Sequence, residues 1–132
     1  MAGAEWSAQE LERIDSAEEL RIAVRGADGS LRGPVPIWVV RSGGQVYVRT
    51  WYRRDTGWFG RALESRRARI DVPGLAVDVV VEDVGDGGVR AQVDAAYRDK
   101  YGHYGPGSVE QMVSDEAVAT TLRLDPDGRT AG

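Results

Sequence analysis

Hydrophobic positions change their spacing several times along the chain, and each change marks an element. "SAQE" at 7–10 is a capping box, with Ser7 as cap and Glu10 as reciprocal partner. Leu11, Ile14 and Ala17 follow at helical spacing, which predicts a short helix over 7–17. From Glu19 the period falls to two: Leu20, Ile22 and Val24 alternate with Arg21, Ala23 and Arg25. Asp28-Gly29 supplies a turn, and "VPIWVVR" resumes as a strand whose start Pro34 and Pro36 confine to a sheet edge. "SGGQ" closes a second hairpin into "QVYVRTWY", giving a three-strand meander.

The second half repeats the theme. Phe59, Ala62, Leu63 and Arg66 share one face of a helix from about 57 to 66, capped by Asp55 or Thr56, with Trp58 and Arg61 on the neighbouring face. "ARIDV" and "LAVDVVVED" flank the tight turn Pro73-Gly74. After "GDGG" a helix over 89–101 carries Val89, Val93, Ala96, Tyr97 and Lys100 on one stripe. A short helix at 109–113, a final strand "VATTLRL" and a polar tail over 125–132 complete the chain. The order implies an α+β fold: six antiparallel strands with flanking helices in a single domain, 1–132. Tight hairpins exclude a doubly wound parallel sheet, and valine-rich faces can close six strands into a small barrel without free edges.

Composition narrows the chemistry. Cysteine is absent and histidine occurs once, which excludes disulfides, thiolate chemistry and a multi-histidine metal site. No apolar run approaches a membrane span, and the acidic, polar N-terminus lacks the features of a signal peptide. A cytoplasmic protein is expected. The net charge of −4 argues against nucleic-acid binding. Yet Arg49, Arg53, Arg54, Arg61, Arg66, Arg67 and Arg69 fall within 21 residues, and Lys100 is the only lysine. Arginine suits bidentate contact with phosphate or carboxylate and stacking on aromatic rings.

Two segments could carry function. In "VRTWYRRDTGWFGRAL", Tyr47, Arg49 and Trp51 share one strand face, so they meet a ligand or cover the outside of the sheet. A helix N-terminus follows at once, and its free N–H groups favour an anion; Arg53 and Arg54 would add charge-assisted bonds, and Trp51 or Trp58 a stacking surface. The second segment, "KYGHYGPG", gathers Lys100, Tyr101, His103 and Tyr104. His103 or Tyr104 could move a proton there; the same residues also read as a helix end capped by Gly102 with aromatic staples.

The segments "ADG", "IWVVR", "YVR", "WF" with "RAL", "AYRDKYGHYGP" and the closing "TLRL" resemble an uncharacterised bacterial family of unknown function. That family is related to the split-barrel flavin-binding proteins, which include pyridoxamine-phosphate-oxidase-like enzymes and deazaflavin-dependent nitroreductases. The resemblance covers nearly the whole chain and implies a homodimer binding flavin mononucleotide or a deazaflavin between subunits for small-molecule redox chemistry. By resemblance the cofactor-binding positions are Arg49, Thr50, Trp51, Arg53, Arg54, Trp58 and Arg61, with His103 and Tyr104 as candidate catalytic residues. The connection at Trp51–Asp55 is bulkier than the glycine- and serine-rich one typical of deazaflavin enzymes. A cofactor-free barrel serving as a small-molecule binder, cyclase or isomerase is the alternative, and an interaction module a third.

Overall fold

The computed structural model describes residues 5–26, 28–50, 57–85 and 87–127. Helix α1 (Ala8–Ser16) begins where the capping box predicts: Glu10 N–H donates to Ser7 Oγ at 3.1 Å and Ser7 N–H to Glu10 Oε1 at 2.9 Å. Strands β1 (Leu20–Arg25), β2 (Leu31–Ile37), β3 (Val39–Ser42) and β4 (Gln45–Val48) follow, then helix α2 (Gly57–Ser65). The hairpin β5 (Arg67–Val72) and β6 (Leu75–Asp83) leads to helix α3 (Arg90–Tyr101), a 3-10 turn (Gly102–Tyr104), helices α4 (Pro106–Met112) and α5 (Asp115–Val118), and strand β7 (Leu122–Pro126).

Among the described residues there are seven strands, not the expected six. All pair antiparallel in the order β2-β1-β5-β6-β7-β4-β3. The extra strand arises because "VPIWVVR" breaks at Trp38: Ile37 pairs with Leu20 of β1, whereas Val39 pairs with Val48 of β4. One continuous segment therefore supplies both end strands of the sheet, curling it into a half-barrel. Ahead of the break, β1 and β2 shift register between Ile22 and Val24. Gly33, at φ 113°, sits opposite this shift, where a Cβ would meet Ile22 O at 3.1 Å.

Period two then sorts the side chains. Leu20, Ile22, Val24, Val46, Val48, Ile70, Val79, Val81, Leu122 and Leu124 form the inner core with α1 and Phe59 and Ala62 of α2. Trp6 closes it, its indole N–H donating to Leu124 O at 2.9 Å. Val40 and Tyr47 face the other way, into a second cluster with Val93, Tyr97 and Tyr101 of α3 and Val109 and Met112 of α4. Three further expectations are corrected. In "QVYVRTWY" the strand ends at Val48 and Arg49 and Thr50 lie beyond it, Trp51 and Tyr52 being outside the described residues; "VATTLRL" is strand only from Leu122, because Asp115–Val118 coil into α5 behind a Ser114 cap; and Asp125 and Pro126 belong to β7 rather than to a tail.

The break at Trp38 is held by α3. The Tyr101 hydroxyl accepts from Val39 N–H at 3.0 Å and donates to Glu18 O at 2.7 Å, tying the chain after α1 to the start of β3. Lys100 Nζ donates to Val39 O at 2.9 Å and Ile14 O at 3.1 Å. Burial of its ammonium lowers the Lys100 pKa to about 8, opposed by the charge of Asp15.

Two predictions follow from this arrangement. Tyr101→Phe removes the acceptor from the buried Val39 N–H and should cost about 1–3 kcal/mol in urea denaturation. Lys100 has a folded pKa of about 8, below the roughly 10.4 of the unfolded chain. Between these values the unfolded chain binds more protons, so Lys100 makes stability rise with pH. Denaturation midpoints measured across that window should show this rise in the native chain relative to Lys100→Met, which lacks the titrating group.

Candidate functional site

Arg49 follows β4 on the same side as Tyr47, as the strand period requires, but that side is covered by α3 and α4. Its side chain is completely buried. Nε donates to Thr121 Oγ1 at 2.8 Å, and Nη1 donates to Asp94 Oδ1 at 2.6 Å and Met112 O at 2.9 Å. The guanidinium carbon lies 5.5 Å from the centroid of the Tyr97 ring. Thr121 is oriented in turn, its hydroxyl donating to Val118 O at 2.7 Å. Thr120 does the same for the next residue: its Oγ1 accepts from Thr50 N–H at 2.9 Å. Asp94 is also bridged by Arg90, whose Nη2 reaches Asp115 Oδ1 at 2.8 Å.

After these bonds Arg49 Nη2 remains buried without a hydrogen-bond partner among the described residues. Such orphaned donors are costly and uncommon in native interiors. Arg49 also borders a cavity of about 370 Å³, together with Trp38, Glu19, Pro36, Ile37, Gln111 and Met112. Trp38 and Glu19 border in addition a wider depression of about 760 Å³ that includes Glu18, Arg21, Asp71 and Tyr104. The indole thus stands as a partition between two openings. It is fixed by stacking on Tyr101, with centroids 4.0 Å apart and planes 2° apart, and Tyr104 lies 5.6 Å away at 24°.

Tyr104 and His103 sit in the exposed 3-10 turn, with ring centroids 4.2 Å apart. The Tyr104 hydroxyl donates to Glu18 Oε2, and this bond holds its pKa above the usual phenol value. Burial raises the pKa of Tyr97, whose hydroxyl has no partner among the described residues.

Of the other expected cofactor-binding residues, Trp51, Arg53 and Arg54 lie outside the described residues, as do the cap candidates Asp55 and Thr56. Trp58 packs against the inner core with its ring edge-on to Phe59 at 5.9 Å. Arg61 borders a different cavity, with Arg25 and Arg32. The structure therefore joins Arg49 to Trp38 and Gln111, not to Arg61. Trp38, Asp94, Thr120 and Thr121 escaped the sequence reading. The signal for Trp38 was the unbroken apolar run Ile37-Trp38-Val39-Val40, which no single alternating strand accommodates.

Among the described residues no helix is long and apolar enough to cross a membrane, and no cluster of three His, Asp or Glu could hold a metal ion. No curated protein matches the chain. Solved structures do. The heme storage protein HutZ from Vibrio cholerae has a TM-score of 0.65 at 17% identity, covering 92% of this chain and 91% of its own. The conserved hypothetical protein Rv2991 from Mycobacterium tuberculosis has a TM-score of 0.64 at 16% identity, covering 98% and 85%. An FAD-binding protein from Mesorhizobium loti has a TM-score of 0.55 at 20% identity, covering 90% and 87%. At these identities the likeness is one of fold. The sequence profile described as uncharacterized protein conserved in bacteria, DUF2255, matches residues 10–124, and the chain belongs to that family.

Proposed function

We propose that the protein binds a flavin- or deazaflavin-type cofactor in the cleft at Trp38 and serves a small-molecule oxidoreduction. The observation that carries this reading is the buried Arg49, which borders a cavity beside a fixed indole and keeps one Nη2 without an acceptor. A planar ring system bearing carbonyl or ring oxygens meets both requirements: the indole offers a stacking wall and the guanidinium a charge-assisted donor. Two proteins that share the fold, one FAD-binding and one a heme storage protein, take large planar ligands, which supports the choice of ligand class.

In this scheme each side chain has a bounded task. Asp94 and Thr121 hold Arg49 in one orientation, so its remaining donor is set before the ligand arrives. The stack on Tyr101 prevents Trp38 from collapsing into the cavity. Tyr104, bonded to Glu18, stays protonated near neutral pH and can deliver a proton at the wider opening, with His103 beside it. When bound, the cofactor supplies the hydride chemistry. Thr50 and the residues that follow it carry the cofactor's phosphate, and a second copy of the chain completes the site.

Titration with flavin mononucleotide and with a deazaflavin, read by fluorescence quenching, tests the reading. Saturable binding of one of them is expected. Trp38→Phe and Arg49→Lys should each weaken it at least about tenfold, the scale of one charge-assisted bond or stacking contact. Arg69→Gln, which removes only an exposed pair with Asp78, should not. Unaltered affinity in both site variants, or no binding of either compound by the native chain, rejects this reading and leaves the cofactor-free binder.

A further inference from the structure

A second cavity, of about 280 Å³, lies where the β1–β2 hairpin meets α2 and is bordered by Arg25, Gly26, Arg32, Arg61, Glu64 and Ser65. The lining thus holds arginines from three different elements, β1, β2 and α2, and one carboxylate. Five other arginines are held against carboxylates at 3.4 Å or less: Arg67 by Asp127, Arg69 by Asp78, Arg123 by Asp125, and Arg49 and Arg90 by Asp94. The three in this cavity have no carboxylate contact as close among the described residues. Arg25 donates to Gly29 O at 2.8 Å and has only a 3.6 Å contact with Asp78, which Arg69 already holds at 3.0 Å. Neither Arg32 nor Arg61 makes an ion pair among the described residues, and Arg61 Nε is buried with no hydrogen-bond partner. Asp28, the other carboxylate nearby, accepts from both the N–H and the hydroxyl of Ser30, and its charge also attracts Arg32.

The backbone accommodates this gathering of charge. At Gly26 a Cβ would approach Arg32 Nε to 3.3 Å and Asp28 Oδ1 to 3.2 Å, so the bare glycine lets the Arg32 guanidinium lie close over the chain. Gly26 is itself fixed, its N–H donating to Ser30 O at 2.7 Å and its carbonyl accepting from Gly29 N–H at 2.9 Å. Guanidiniums gathered with few carboxylates repel one another, and a buried Nε without an acceptor adds to the cost. An anion entering the cavity removes both penalties.

We propose that this cavity is a binding site for a small organic dianion, a dicarboxylate or a phosphomonoester, separate from the cleft at Trp38 and independent of the flavin reading. The lining arginines outnumber the one lining carboxylate, Glu64, and guanidinium forks pair bidentately with either oxyanion. Glu64 in the lining disfavours ligands of higher charge.

Calorimetric titration of the native chain with succinate and, separately, with glycerol 3-phosphate tests the proposal and distinguishes the two sources. One of them is expected to bind saturably. Arg32→Gln and Arg61→Gln, with fold confirmed by circular dichroism, should each weaken binding by at least about tenfold. The proposal is overturned if neither compound binds, or if both variants bind as the native chain does. Displacement of the bound dianion by flavin mononucleotide also overturns it, because the cavity would then belong to the flavin site.

Discussion

One stretch of backbone has to occupy both ends of a curved sheet, and the rest of the molecule is arranged around that demand. Strand β2 pairs with β1 and strand β3 with β4, yet a single residue, Trp38, separates them. Interrupting a strand leaves backbone groups without ladder partners, and buried groups of that kind must be satisfied elsewhere. Helix α3 does this from outside the sheet: Tyr101 and Lys100 bond both the N–H and the carbonyl of Val39. Their reach extends to Glu18 and Ile14, so the same two side chains fix α1 against the break.

The second constraint is charge on a covered face. Once α3 and α4 close over the side of β4 that carries Tyr47, the Arg49 side chain is left with no exposed surface. Its position is tolerable because the loop after α5 presents Thr121, α4 presents a terminal carbonyl at Met112, and α3 presents Asp94. A buried charge of this kind is strongly destabilising if its partner is removed. The arrangement fixes the orientation of the guanidinium and leaves Nη2 without an acceptor among the described residues, on a side chain that borders the same cavity as Trp38.

Much of the fold was legible because alternation in the strands is strict. Leu20, Ile22 and Val24, or Val46 and Val48 against Tyr47, report their faces directly, and Ser7 with Glu10 fixes the start of α1. The break at Trp38 was not legible, since a run of four apolar residues is compatible with a buried strand as well as with two strands meeting. Thr120 and Thr121 misled for a related reason. Threonine favours strands, but here both hydroxyls serve the backbone and side chain of Thr50 and Arg49 after a short helix. The five described arginines of the cluster do not converge on one site, and Arg53 and Arg54 lie outside the described residues. Arg66 ends α2 at φ 61° with its Nε on Leu63 O, Arg67 and Arg69 lie in exposed ion pairs, and Arg61 faces another cavity. Nearness in sequence across a strand, a helix and a second strand says little about nearness in space.

Trp38 therefore joins architecture to chemistry. It stacks on Tyr101, the residue that satisfies the broken strand, and it walls both openings of the candidate site. A substitution there changes the wall of the cleft and the support of the β2–β3 junction together, because the aromatic face that stabilises one is the surface that shapes the other. Residues such as Gln111 and Glu19 border the cavity as exposed side chains, outside both hydrophobic clusters. Specificity can drift at those positions at little cost to folding, whereas Trp38, Tyr101 and Arg49 cannot be exchanged without disturbing the curl of the sheet or the charge balance beneath it.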